Sequence, residues 1–183
     1  MQALARLVRL IEGFNRAVGE VAAWLVLVTV AVCAAVATLR YGFGLGRIWL
    51  QELYVVAFGA GFMLMAPRAY AEDAHIRIDV LSHRWRPATR AAIEIVGCVL
   101  VLVPWLLVLA WASWPFVRLS WLVREPSPQA GGLPGYYLVK SIIPLFALLM
   151  LLQAVAVIGR SILTLAGREH LLPPRRLRAA LVE

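Results

Sequence analysis

The groups in this 183-residue chain that could act as nucleophiles, proton carriers or metal ligands are three histidines, two cysteines and ten carboxylates. A protease working inside a bilayer needs a nucleophile and a base at membrane depth, and a haem-binding cytochrome needs axial histidines there. His75, His83 and His170 all lie outside the apolar runs of the chain, which removes both chemistries. Cys33 and Cys98 each sit in the middle of an apolar run with no histidine or carboxylate beside them, and read as small packing residues. Glu72-Asp73-Ala74-His75-Ile76-Arg77-Ile78-Asp79 brings carboxylates and an imidazole together, but its interleaved arginine disfavours a cation. Pairing of Glu72, Asp73 and Asp79 with Arg68, Arg77 or Arg84, fixing a turn, is the reading that follows. No catalytic residue, cofactor site or metal site is expected.

The elements that would position these groups are set by composition. Hydrophobic residues make up 62% of the chain and charged residues 15%, against about 45–50% and 25% in an ordinary soluble domain. Four apolar runs approach the roughly 20 residues that cross about 30 Å of hydrocarbon. The expected fold is therefore an all-α integral membrane four-helix bundle in a single domain, with transmembrane helices over about 18–40, 48–70, 93–117 and 138–160 and a tail over 161–183. Residues 2–16 place Leu4, Leu7, Val8, Ile11 and Phe14 on one helical face and Arg9, Glu12 and Arg16 on the other, the pattern of an interfacial amphipathic helix lying on membrane lipid. The second run is short: between Glu52 and Arg68 only Leu53 to Pro67 is uncharged, roughly 22 Å of helix. Both charges must snorkel or pair with neighbouring elements. Pro104, Pro115 and Pro144 interrupt the third and fourth runs, and Gly59-Ala60-Gly61 in the second permits close helix approach.

The formal charge is +8, but the basic residues sit between apolar runs rather than in an aromatic-interleaved stripe, so topology and not nucleic acid explains them. Thirteen of the eighteen lysines and arginines fall on the side of the two termini and the middle loop counted from Arg68 to Arg90, five on the other. The positive-inside rule places both termini in the cytoplasm, and Trp49, Trp121, Tyr136 and Tyr137 form an aromatic belt at the opposite boundary. No helix centre contains an ionisable residue, and Gln153 is the one strongly polar group well inside a span, so a solute pathway within the chain is not expected.

Arg40-Tyr41, Trp49-Leu50-Gln51-Glu52-Leu53, Gly59-Ala60, Arg68 and His75-Ile76-Arg77-Ile78-Asp79-Val80-Leu81 together resemble the small permease subunit of tripartite ATP-independent periplasmic (TRAP) transporters. Glu125-Pro126-Ser127, Gly131-Gly132-Leu133-Pro134, Lys140 and Gln153 are similar to the mannitol or chloroaromatic branch of that family, and the resemblance covers roughly residues 20–160. It implies a multi-pass scaffold in the bacterial inner membrane, partnered by a large permease that contains the solute and sodium sites. A periplasmic solute-binding protein would deliver an organic acid or related solute. Arg40, Trp49, Glu52, Gly59, Arg68, His75, Asp79, Gly132, Pro134, Lys140 and Gln153 are then the structural or partner-contact candidates. Glu52 is expected to pair with Arg40, and the outer loops to face the binding protein. Two other classes share the architecture: a homodimeric proton-coupled exporter, for which Glu20 is the candidate acid, and a membrane assembly protein without transport.

Overall fold

The computed structural model describes residues 1–72 and 86–173. Among these residues the regular structure is all helical: α1 (Gln2–Phe43), α2 (Ile48–Ala71), α3 (Pro87–Gly97), a π turn (Cys98–Leu102), α4 (Val103–Leu122), the short α5 (Tyr136–Lys140), α6 (Ile142–Leu165) and a 3₁₀ turn (Glu169–Leu171). Four stretches are long and apolar enough to cross a membrane, Gln2–Phe43, Ile48–Ala71, Pro87–Leu122 and Tyr136–Leu165. The four-helix membrane architecture read from the apolar runs is the one observed.

The helix boundaries follow from local chemistry. Gly44 ends α1 in the left-handed conformation at φ 67°, with the Leu45 amide donating to the Leu39 carbonyl at 2.9 Å, and the extended Arg47 opens α2. The turn between the two helices is therefore tight, and they pack as an antiparallel hairpin. Pro104 has no N–H and its ring crowds the carbonyl four residues back. The chain absorbs this in the π turn, where the Val103 amide donates to the Cys98 carbonyl, and α3 and α4 continue as one span. Pro144 acts likewise on the fourth span: the helix breaks after Lys140, Ser141 donates its amide to the Tyr137 carbonyl, and α6 starts afresh.

Two separate elements were expected at the amino terminus, but α1 is one unbroken helix of 42 residues, about 63 Å long. Nothing between Arg16 and Val21 stops it, because a single glycine costs only about 1 kcal/mol in a helix. Its buried stripe also differs from the one read off the sequence. Ala5, Val8, Ile11, Glu12, Asn15, Gly19 and Ala22 are buried, while Leu7 and Phe14 are exposed. The stripe passes through Glu12 and Asn15 because α6 offers both of them polar partners.

Helix α6 is the hub: it packs against α1, α2, α3 and α4. Ala147, Met150, Gln153, Ala154, Val157 and Gly159 are buried in these contacts, while Leu145, Leu148, Val155 and Ile162 keep one face exposed. Small residues make these contacts close, as van der Waals packing rather than hydrophobic transfer must hold helices together in lipid. A Cβ on Gly159 would stand 2.8 Å from Val8 Cγ2, and one on Gly19 would stand 2.7 Å from Arg68 Cδ. Between α1 and α2 the near approach is at Gly61, where an added Cβ would stand 3.3 Å from Leu25 Cβ and 3.5 Å from the Ala22 carbonyl, with Ala57 and Ala60 on the same buried face. Gly59, the expected contact, meets nothing within 4 Å because it lies one position off that face.

Candidate functional site

Among the described residues, the loop between α4 and α5 is the most heavily cross-linked irregular segment. Its prolines and glycines remove regular structure, and Gly131 and Gly135 take left-handed conformations at φ 79° and 87°. The Ser127 amide donates to the Leu133 carbonyl at 3.0 Å, and the Gly132 amide to the Gln129 carbonyl at 3.0 Å, closing a compact turn. Glu52, in the second turn of α2, reaches across and clamps it. One carboxylate oxygen accepts the Leu133 amide at 2.7 Å and the other accepts the Ser127 hydroxyl in a short hydrogen bond. The same carboxylate explains Gly132, where a Cβ would lie 2.6 Å from Glu52 Oε2.

A second set of contacts fixes the rest of the loop to the helices below it. Lys140 pairs with Glu125 at 2.5 Å and stands 3.9 Å above the Phe116 ring. The Lys140 ammonium holds the Glu125 carboxyl below its ordinary value. The Trp121 indole donates to the Ser141 hydroxyl at 2.8 Å and packs edge-on against Tyr137, with ring centroids 4.7 Å apart. The result is a loop held at α2, α4 and α5 through Glu52, Trp121, Tyr137 and Lys140, with Ser141 at the junction to α6.

At the opposite end, the charged side chains brace helix against helix. Arg160 of α6 makes a two-pronged contact with Glu12 of α1, at 3.0 Å and 2.8 Å, and its third nitrogen donates to the Pro173 carbonyl at 3.0 Å. Those two side chains are 12% and 10% exposed, so the pair works in a low dielectric where geometry decides its value. Ser161 donates to Glu94 at 2.9 Å, joining α6 to α3. Arg68 donates to Glu72 at 3.2 Å, and Arg16 of α1 approaches the same carboxylate at 3.8 Å. Asn15 Nδ2 donates to Gln153 Oε1 at 2.9 Å, tying α1 to α6. Among the described residues no group of three or more histidines, cysteines and carboxylates could hold a metal ion.

These placements sort the sequence candidates. Glu52, Gly132 and Lys140 come together in the braced loop, with the exposed Pro134 beside them. Glu52 does not pair with Arg40: the loop amide and hydroxyl occupy its carboxylate, and Arg40, in the last turn of α1, is exposed. Trp49 is also exposed. Gln153 binds Asn15 of α1, whereas Arg68 binds Glu72 at the end of its own helix and packs its stem against Gly19 of α1. His75 and Asp79 lie outside the described residues. Glu20, the acid required by the exporter reading, is exposed.

A family model for the DctQ component of tripartite ATP-independent periplasmic transporters matches residues 28–164. The chain belongs to this family. Comparison with curated proteins gives no match, and neither does comparison with solved structures. As a small membrane component of a TRAP transporter it is part of a transport machine, not an enzyme, and a multi-pass protein of the inner membrane. The matched region of this DctQ-family subunit contains the whole Glu52 clamp and all of α6 up to Thr164, whereas Glu12 and Asn15 precede it.

Sequence reasoning missed Glu12, Asn15, Ser127, Arg160 and Ser161. The one available signal was that Arg160 closes an otherwise apolar run, which demands a partner in or near lipid. Which carboxylate supplies it depends on α1 continuing straight past its apolar stretch.

Proposed function

We propose that this DctQ-family subunit is a rigid scaffold for a large permease partner in sodium-coupled, binding-protein-dependent uptake of an organic acid or related solute. The observation that carries this reading is the use of the charged groups. Glu12, Glu52, Glu72, Glu94, Glu125, Lys140 and Arg160 all brace one element against another, and Arg68 holds Glu72 from within its own helix. A chain that spends its charges on holding its own shape is suited to hold another protein in place. The apolar outer faces of α1 and of α3–α4, with Val21, Trp24, Leu27, Trp105 and Trp111 exposed, supply surface for lipid and for that partner.

In this reading both termini are cytoplasmic, following the distribution of arginine and lysine, and the braced loop faces the periplasm. Its fixed shape suits docking of a periplasmic solute-binding protein, since a preformed surface avoids the entropy of ordering a loop on contact. The loop residues Glu125-Pro126-Ser127 and Gly131 to Pro134 further support the mannitol or chloroaromatic branch.

The test is co-purification of a tagged chain from its native membrane in mild detergent. A large polytopic permease at equal stoichiometry is the expected result, and recovery of this chain alone as a dimer would refute the scaffold reading. Cysteines placed singly along residues 128–135 should crosslink to the binding protein, and silence at every position would remove the docking role.

A further inference from the structure

At the loop end of the molecule a groove of ≈490 Å³ opens between α4 and α6, lined by Trp114, Val117, Arg118, Trp121, Leu122, Ser141 and Pro144. It is preformed. The Trp121–Ser141 hydrogen bond and the Trp121–Tyr137 edge contact fix one wall, and Val117 is buried in its floor. The helix break at Ser141 falls beside the groove, which Ser141 and Pro144 both line.

The lining is apolar except for Ser141, whose hydroxyl is engaged, and Arg118. Arg118 meets no carboxylate among the described residues, and the nearby cation Lys140 is already neutralised by Glu125. Arg118 stands four residues before the end of α4 at Leu122, about 6 Å along the helix axis. An arginine at that depth reaches the level of lipid phosphates by snorkelling, and Trp114 and Trp121 are the residue type that favours the same interface.

We propose that this groove is a binding site for one anionic glycerophospholipid, with its phosphate on Arg118 and an acyl chain along Trp114, Val117 and Pro144. A lipid is favoured over a protein segment because its phosphate already lies at this depth. A partner helix would have to carry an unpaired carboxylate to the same level at a cost of desolvation. The inference does not depend on which protein the braced loop contacts, and requires only that the large permease leave this groove open.

The experiment is native mass spectrometry of the full chain released from nanodiscs containing equal amounts of phosphatidylglycerol and phosphatidylcholine. The wild type should retain one phosphatidylglycerol in about fivefold preference, the factor expected of a single basic residue at an anionic surface. Arg118→Gln should abolish the preference and Arg118→Lys restore most of it, which separates headgroup recognition from any general effect on folding. Leu122→Trp, placed at the exposed rim, should reduce retention of both lipids by filling the groove. Equal retention by the wild type, or an undiminished preference in Arg118→Gln, would overturn the proposal. So would displacement of the lipid when the chain is isolated with its large permease, since the groove would then be a protein contact.

Discussion

Glu52 offers the sharpest test of the braced loop. In the wild type its carboxylate receives the Leu133 amide at 2.7 Å and the Ser127 hydroxyl, and hydrogen bonds to a charged acceptor contribute about 1.5–3 kcal/mol each. The site is only partly buried, so water can replace much of what is lost, and about 2 kcal/mol for the whole clamp is the appropriate scale. With a tenfold change for every 1.4 kcal/mol, Glu52→Ala should accelerate hydrogen exchange at the Leu133 amide roughly 30-fold. Glu52→Gln keeps one acceptor for Leu133 and turns its amide toward the Ser127 oxygen, losing charge assistance but not the contacts. About 1 kcal/mol, or roughly fivefold faster exchange, is expected. Hydrogen–deuterium exchange read by mass spectrometry on peptides covering 126–135 in detergent resolves both, with α6 amides as an internal reference. Exchange at Leu133 within a factor of about two of wild type in Glu52→Ala would refute the clamp. Faster exchange in the glutamine variant than in the alanine variant would refute the ranking of charge and contact.

Gly132→Ala should open the same loop by sterics alone, because the added methyl would meet Glu52 Oε2 at 2.6 Å; overpacking of about 1–3 kcal/mol is expected, visible in the same exchange assay. Removing either partner of the Glu12–Arg160 pair leaves a buried charge and should destabilise the subunit by about 3–5 kcal/mol. The double variant Glu12→Leu with Arg160→Met should unfold closer to wild type than either single change, as read by thermal unfolding in detergent. Glu125 has a folded-state pKa below its ordinary value of 4.5, so the stability it shares with Lys140 is fully present above 4.5 and is lost as the pH falls through the lowered value. Loop exchange, corrected for intrinsic rates, should therefore be flat near neutrality and rise only in acid below the ordinary value, and Lys140→Met should remove that acid dependence.

The sequence by itself determined the solvent and the number of spans. The reason is that lipid forces every spanning backbone group into a helix and requires about 20 apolar residues per crossing, so composition alone is decisive. It also determined that Glu52 and Arg68 need partners, since 15 uncharged residues between them are too few to leave both charges in water. Arg68 finds Glu72 four residues along, a pairing open to reading in the sequence, whereas the partners of Glu52 were decided only by tertiary structure. Glu52 is separated from Ser127 and Leu133 by 75 and 81 positions, and Glu12 from Arg160 by 148. Pairings at such separations are set by which helix becomes the hub and how far α1 runs before it breaks. Periodicity reports that a face is apolar, but a buried polar residue such as Glu12 or Asn15 is assigned to water until the element that satisfies it is in place. The small residues show the same limit: Gly59 and Gly61 are equivalent as composition, and only the angle of α2 against α1 makes Gly61 the point of contact.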